Sequence, residues 1–231
     1  EAVRPWTPER SETVTGISAE TVRNLAEAFT AAEGASLYGS TGINHGSHGT
    51  IAFWLIEAIN AVTGNLDTKG GTLVGKGIIN FPKLATGSGA MGSTVRSRIG
   101  NLPAVSEALP GAILADEILT PGKGQVRGLF VTAGNPALSI PDAQKMERAL
   151  EQLDLCVCID IFPSLTGNYA DYILPGITFM EHPDINYIFQ SMLGITGTPH
   201  LSYSDTVIEP LETQKEETWI FVELCRARSE E

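Results

Sequence analysis

Three groups of small and polar residues follow short apolar segments, at points where parallel strands would end. They are the glycine-rich stretch 39–49, the triplet Gly134-Asn135-Pro136, and Asp160. In doubly wound sheets, ligands bind beyond the carboxyl ends of the strands. The carboxylate of Asp160 has acceptors for two hydrogen bonds from one planar edge, such as the N–H groups of guanine. The alternative is that Asp160 only caps the turn that follows it.

Asn135 and Ser139 carry similar alternatives. Asn135 is either a ligand contact or a turn residue, and Pro136 favours an extended backbone at Asn135 that would aim its side chain outward. Ser139 either bonds a sugar or phosphate or precedes the next helix as a cap. The sequence alone leaves both alternatives open for each residue.

The first loop, 39–49, leads directly into a helix predicted to begin near Thr50. Gly42, Gly46 and Gly49 would let the backbone approach a bulky ligand, and the helix N-terminus favours an anionic group such as phosphate. A plain connector fits the loop equally well. The loop matches neither G-x-x-x-x-G-K-[ST] nor G-x-G-x-x-G, so the ordinary ATP and NAD classes lose their main support.

Histidine and cysteine pairs give weak indications of a metal site. His45 and His48 are three residues apart, but no carboxylate or cysteine is close to them in sequence. Contacts to a ligand or to solvent are therefore favoured over metal binding. Cys156 and Cys158 lie in an apolar run that predicts a buried strand, and no further ligands are visible nearby. Buried free thiols are the favoured interpretation, and no metal ligand is assigned.

Composition and charge exclude several classes of protein. The chain has 231 residues, 42% of them hydrophobic, and a net charge of −12. This length suits one large domain or two small ones. An acidic chain is a poor candidate for sequence-independent nucleic-acid binding, because phosphates need Lys and Arg. No stretch reaches the ~18 apolar residues of a membrane span, so no direct membrane insertion is predicted. The compartment, cytoplasmic or periplasmic, stays open.

The elements that must position these residues are helices and parallel strands. Helices are predicted at 18–34, 50–63, 112–119, 141–153, 165–169 and 215–228, and strands at 35–38, 126–132, 155–159 and 172–175. Strand, helix, strand at this spacing implies parallel strands joined by crossovers. The predicted fold class is α/β, with layered parallel sheets and flanking helices. A connector at 121–124 divides the chain into two expected domains, 1–124 and 125–231.

Regularity fades between residues 65 and 101, where glycines recur. A loop of this length is usually functional or disordered. Its mix of glycines and charged residues with Phe81 and Met91 indicates an ordered loop wrapped around a ligand. Arg96 and Arg98 in this loop would either contact phosphates or be solvated.

Taken together, these segments resemble the molybdopterin oxidoreductase family, which includes formate dehydrogenases, nitrate reductases and dimethyl sulfoxide reductase. The similarity covers most of the chain, from about Ser18 to Pro210. The order and spacing of several short segments carry it: Thr63-Gly64-Asn65 with Gly70-Gly71, Gly134-Asn135-Pro136-Ala137-Leu138-Ser139, Asp160-Ile161-Phe162, Thr166, and Ala170-Asp171-Tyr172-Ile173-Leu174-Pro175.

The resemblance implies parts of two Rossmann-like domains, each taking one guanine nucleotide of a pterin guanine dinucleotide cofactor. A complete enzyme would hold two such cofactors around molybdenum or tungsten. Asp160 would contact the guanine edge, and Asp171 would fix the turn before the last strand rather than touch the metal. The residues that the resemblance assigns to the cofactor are Gly42, Asn44, His45, Gly46, Gly49, Gly64, Asn65, Gly71, Gly134, Asn135, Ser139, Asp160, Phe162 and Thr166.

The function implied is that of a catalytic-subunit fragment that holds the cofactor for two-electron redox or oxygen-atom transfer on a small substrate. The rest of the same subunit and an iron–sulfur electron-transfer subunit are implied as partners. The family's 4Fe-4S cysteines, metal-ligand segment and C-terminal domain are not found in this sequence, so we expect no turnover by this chain alone. Two alternatives stay open: a non-catalytic scaffold, as in the large iron–sulfur subunit of respiratory complex I, and an unrelated nucleotide-binding α/β module.

Overall fold

The computed structural model describes residues 3–75, 77–80, 83–84, 87, 94–105, 107–187 and 197–229. Phe81 and Met91 of the predicted ligand-wrapping loop lie outside these residues. The chain divides into two compact units, Glu1–Gly77 with Gly194–Pro199, and Ile78–Leu193 with His200–Glu231.

Among its described residues, the first unit contains three α-helices: α1 (Pro8–Thr15), α2 (Ala19–Ala31) and α3 (Gly49–Val62). The predicted helices near 18–34 and 50–63 are confirmed as α2 and α3, whereas α1 was not predicted. The N-terminus of α2 has two caps. The Ser18 hydroxyl accepts a hydrogen bond from the Thr21 N–H at 3.1 Å, and the Glu12 carboxylate accepts one from the Ala19 N–H at 3.0 Å.

The strand predicted at 35–38 is wrong, because this extended segment pairs with no strand in the described part of the chain. The buried side chain of Asn60 forms the backbone hydrogen bonds that a neighbouring strand would otherwise provide. The Asn60 amide accepts a hydrogen bond from the Leu37 N–H at 3.0 Å and donates one to the Leu37 carbonyl at 3.1 Å. Backbone groups away from water need such partners, so Asn60 ties the segment to α3.

The second unit contains a three-stranded parallel sheet, which confirms the α/β class with a parallel sheet and flanking helices. Its strands are β1 (Gly128–Thr132), β2 (Leu155–Asp160) and β3 (Tyr172–Pro175), in the order β1-β2-β3. The register pairs Thr132 with Ile159, and Asp160 with Pro175. The carboxyl ends of the three strands therefore lie side by side.

Helices α4 (Leu114–Leu119), α5 (Pro136–Ser139) and α6 (Ala143–Leu150) belong to this unit. Its core is formed by buried side chains of α4, α6 and the strands, among them Ile118, Val131, Met146, Leu150, Cys156 and Cys158. The helix predicted from 141 begins at Ala143 instead. The Asp142 carboxylate caps it by accepting a hydrogen bond from the Lys145 N–H at 3.2 Å.

An ion pair attaches the segment before α4 to the second unit. The Nε of Arg98 lies 3.0 Å from a carboxylate oxygen of Glu117, and the Ile99 N–H donates to the other oxygen at 2.8 Å. Glu117 is only 6% exposed. Arg98 is therefore bound to Glu117 inside the chain rather than fully solvated. These contacts and the packing of α4 on α6 put residues before 124 with the second unit. The two units divide between Gly77 and Ile78, which is earlier than the expected boundary at 124. The assignment of two domains stays a prediction.

The two thiols of β2 are buried, and Cys225 is exposed. Burial raises the pKa of Cys156 to about 11, and the neighbouring Cys158 adds to this rise. Burial also raises the pKa of Cys158. Within the described ranges, no group of three or more His, Cys, Asp or Glu residues is placed to hold a metal ion.

The second unit also contains a short antiparallel pair and a C-terminal helix. β4 (Asp184–Ile185) pairs with β5 (Tyr203–Ser204), and α7 spans Glu217–Ser229. The Lys215 N–H donates to the Pro175 carbonyl at 3.1 Å, which brings the start of α7 beside the end of β3. Among the residues that the structure covers, no helix is long and apolar enough to cross a membrane.

Candidate functional site

A cleft of about 430 Å³ opens where β1, β2 and β3 end. Asn135 lines it after β1, Asp160 at the end of β2, and Gly176 after β3. Two aromatic rings also line the cleft, Phe162 (71% exposed) and Phe179 (77% exposed). Flat apolar surfaces with a few convergent polar groups are typical of small-molecule sites.

The two oxygens of the Asp160 carboxylate have different surroundings. Oδ1 accepts hydrogen bonds from the Ile161 N–H at 2.7 Å and the Phe162 N–H at 3.3 Å. The turn-capping interpretation is therefore right for this oxygen. Oδ2 accepts no hydrogen bond from any residue in the described part of the chain, so it stays available to a donor in the cleft.

Asn135 is fixed by a buried threonine. Its Oδ1 accepts hydrogen bonds from the Thr166 N–H at 3.2 Å and the Thr166 hydroxyl at 2.7 Å. The Thr166 hydroxyl oxygen also accepts a hydrogen bond from the Ala137 N–H at 3.1 Å. Because a backbone N–H can only donate, the amide orientation of Asn135 is determined. The amide oxygen is turned toward Thr166 rather than outward, and Nδ2 has no partner among the described residues.

The second unit therefore brings most of its predicted site residues together. Gly134, Asn135, Asp160 and Phe162 line the cleft. Thr166 is completely buried and acts through Asn135. Ser139 does not line the cleft; it is exposed, and its hydroxyl donates to the Asn135 carbonyl at 2.9 Å.

One wall of the cleft was not predicted from the sequence; Gly176 to Phe179 and Glu217 form it. The Gln214 Nε2 donates to the Gly176 carbonyl at 3.2 Å and to a carboxylate oxygen of Glu181 at 3.4 Å. That same oxygen of Glu181 accepts the Thr178 N–H at 2.6 Å. The predicted strand ending at Pro175 was a signal for this wall, since it is another carboxyl end. Glu217 had no local signal.

In the first unit, three predicted site residues have roles in the chain's own packing. Asn65 is 7% exposed; its Oδ1 accepts the Ala35 N–H at 3.1 Å, and its Nδ2 donates to the Thr63 hydroxyl at 3.0 Å. A Cβ at Gly71 would collide with the Asn65 carbonyl. Gly64 has φ +77°, a conformation that favours glycine after a helix. None of these features needs a ligand to explain it.

In the loop before α3, packing within the chain explains only part of the predicted site residues. Gly42, Asn44 and His45 lie in an exposed 3-10 turn, Thr41–His45, and Gly46 follows it. A Cβ at Gly42 or Gly46 would meet nothing within 4 Å, whereas one at Gly49 would lie 2.8 Å from the Asn44 Cα. Internal packing therefore explains Gly49 but gives no reason for Gly42 or Gly46.

The chain belongs to the molybdopterin oxidoreductase family, whose profile matches residues 5–227. This match confirms the resemblance that the motifs indicated. A trimethylamine-N-oxide reductase of Haemophilus influenzae is 26% identical over 96% of this chain and 29% of its own length. A probable oxidoreductase of Bacillus subtilis, YyaE, is 29% identical over 77% of this chain and 24% of its own. The F420-dependent formate dehydrogenase subunit alpha of Methanocaldococcus jannaschii is 26% identical over 78% and 28%.

A solved structure supports the fold. Acetylene hydratase from Pelobacter acetylenicus superposes with a TM-score of 0.68 at 22% identity, over 97% of this chain and 34% of that one. The chain thus spans about a quarter to a third of the proteins that it matches.

Proposed function

We propose that the cleft in the second unit binds the guanosine part of a pterin guanine dinucleotide cofactor. The protein would be the catalytic subunit of a molybdenum or tungsten oxidoreductase that performs two-electron redox or oxygen-atom transfer. Relatives named for trimethylamine N-oxide and formate support a small substrate. The remainder of the subunit and an iron–sulfur electron-transfer subunit are the proposed partners.

One observation carries this proposal. At the end of the central strand, a carboxylate oxygen of Asp160 has no partner among the described residues, and Asn135, whose Nδ2 is likewise unpaired there, lines the same cleft. An acceptor and a donor on adjacent strand ends suit a purine that has both N–H groups and ring acceptors. Because Oδ1 is already engaged by two backbone N–H groups, Oδ2 would accept most of the guanine hydrogen bonding.

The cleft residues fit a nucleoside in shape as well as in polarity. Phe162 and Phe179 offer exposed rings, on which a flat base can stack. Gly134 leaves the backbone open for close approach at the end of β1. When bound, the cofactor would supply the metal and the redox-active pterin, while these residues bind and orient it. The glycines at 42 and 46 are proposed to run near pterin or phosphate groups.

The proposal is tested on the full-length protein purified anaerobically from a host that makes the cofactor. We expect about one molybdenum or tungsten and about two GMP released by acid per chain. Asp160→Ala should lower the GMP yield, because it removes the acceptor for the guanine edge. The readouts are metal analysis by mass spectrometry and quantification of GMP by chromatography.

Asp154→Ala is the matched control. Asp154 is exposed and directly precedes Leu155, the first residue of β2, whereas Asp160 is the last. Its carboxylate lies 2.5 Å from the Arg127 guanidinium. Its replacement should leave the GMP yield unchanged. A folded wild-type protein that contains neither metal nor GMP would contradict the proposal and would favour the scaffold alternative.

A further inference from the structure

We propose that Glu217 determines the specificity of the cleft for ribose, by accepting hydrogen bonds from the sugar hydroxyls of the bound nucleoside. This inference rests on the proposed function. It assigns the ribose of the ligand to the wall of the cleft that contains Glu217. Glu217 is the first residue of α7 and lines the same cleft as Asp160 and Phe162.

The fold holds Glu217 at the cleft through its neighbours in sequence. Gln214 is bound to the Gly176 carbonyl at 3.2 Å, and the Lys215 N–H is bound to the Pro175 carbonyl at 3.1 Å. Both contacts fix the start of α7 against the carboxyl end of β3. The position of Glu217 is therefore set by the Gln214 side chain and the Lys215 backbone, and not by a bond of its own carboxylate.

The carboxylate of Glu217 has no internal role in the residues that the structure describes. It accepts no hydrogen bond and forms no ion pair there. Lys215, the nearest cation in sequence, turns its ammonium group to the Glu212 carbonyl at 2.8 Å. A carboxylate beside a cleft without an internal partner has its full capacity to accept hydrogen bonds from a ligand.

The charge of the cleft favours binding of the nucleoside part of a nucleotide over its phosphates. Asp160 and Glu217 are the charged residues among the described ones that line it, and no described lysine or arginine does so. Two carboxylates without a cation repel phosphate oxygens, whereas they attract N–H and O–H donors. The cleft therefore suits the nucleoside, with the base at Asp160 and the sugar hydroxyls at Glu217, and the phosphates lie outside it.

The test measures binding of guanosine and of 2′,3′-dideoxyguanosine to the full-length protein, produced in a host that cannot make the cofactor. The wild type should bind guanosine about tenfold more tightly than the dideoxy compound, as expected for hydrogen bonds to a charged acceptor. Glu217→Ala should bring this ratio close to one and leave the affinity for dideoxyguanosine unchanged. Glu217→Gln keeps an acceptor oxygen and should retain part of the preference, which a merely structural role would not predict.

Glu216→Ala is the matched control, because Glu216 is the exposed neighbouring glutamate and does not line the cleft. It should keep the full preference. If Glu217→Ala also keeps it, or if the wild type binds both compounds equally, the role of Glu217 is overturned while guanosine binding at the cleft stands. If the wild type binds neither compound, the proposed function itself fails, and this inference with it. Circular dichroism of each variant establishes that it is folded.

Discussion

At the scale of single residues, the cleft is lined by side chains that stabilise the chain with one polar atom and leave the other without a partner among the described residues. Asp160 caps its own turn with one oxygen and leaves the other in the cleft. Asn135 gives its oxygen to Thr166 and leaves its nitrogen there. For both residues, the structural and functional alternatives do not exclude each other, since each side chain has two polar atoms.

Thr166→Val tests the support behind Asn135. Valine keeps the shape but loses the hydroxyl, which leaves the buried Ala137 N–H without its acceptor and Asn135 without one of its donors. We expect the free energy of unfolding to fall by about 1–3 kcal/mol, measured by urea denaturation. The control Thr120→Val changes an exposed threonine and should stay within about 0.5 kcal/mol. Equal effects of the two changes would contradict this role of Thr166.

The thiols give a prediction that depends on pH. Because burial raises the pKa of Cys156 to about 11, its thiol stays protonated in the folded chain at pH 9, whereas an unfolded thiol titrates near about 8.5. The contribution of the buried thiol to stability is present below the pKa of the unfolded thiol and is lost as pH rises toward 11.

At pH 8, iodoacetamide should label the exposed Cys225 and spare Cys156 and Cys158 until denaturant is added. Mass spectrometry of the peptides checks this, and rapid labelling of Cys156 in the native protein would refute it.

At the scale of elements, side-chain amides replace missing strand pairing. The buried Asn60 of α3 satisfies both backbone groups of Leu37, and Asn65 satisfies the Ala35 N–H. These contacts hold the extended segment before the glycine-rich loop against α3. The position of that loop therefore depends on two asparagines that sequence analysis did not connect with it.

Asn60→Leu tests this tie. Leucine is similar in size but leaves the Leu37 N–H and carbonyl without partners. We expect a loss of about 2–4 kcal/mol in the free energy of unfolding, from two unsatisfied backbone groups. Hydrogen exchange should also become faster at Leu37. Asn24→Leu on the exposed face of α2 is the control, and a comparable loss there would show that the buried position is not the cause.

At the scale of the whole molecule, the chain exposes large apolar side chains on α3. Ile51, Trp54 and Val62 are 60%, 67% and 83% exposed. A helix that is apolar on all sides is typically packed on all sides, and the curated relatives are three to four times longer than this chain. Apolar patches of this kind lead to association.

We therefore expect the isolated 231-residue chain to self-associate, and Trp54→Lys to reduce this by placing a charge in the patch. Sedimentation velocity measures the distribution of species. Trp6→Lys is the control, because Trp6 packs under the Arg10 guanidinium at 4.4 Å and lies outside α3. A monomeric wild-type chain, or equal effects of both changes, would contradict the prediction.

The sequence by itself determined the family, the parallel strands and the residues at two of their ends. Those features depend on local patterns: apolar runs of strand length, capping residues, and short motifs such as Gly134-Asn135-Pro136 in a fixed order. Only the tertiary structure decided that Arg98 pairs with Glu117, that Asn60 holds Leu37, and that Glu217 lies beside Asp160 in one cleft. Those contacts join residues about 20 to 60 positions apart, and no local pattern encodes them because they depend on how helices and strands pack.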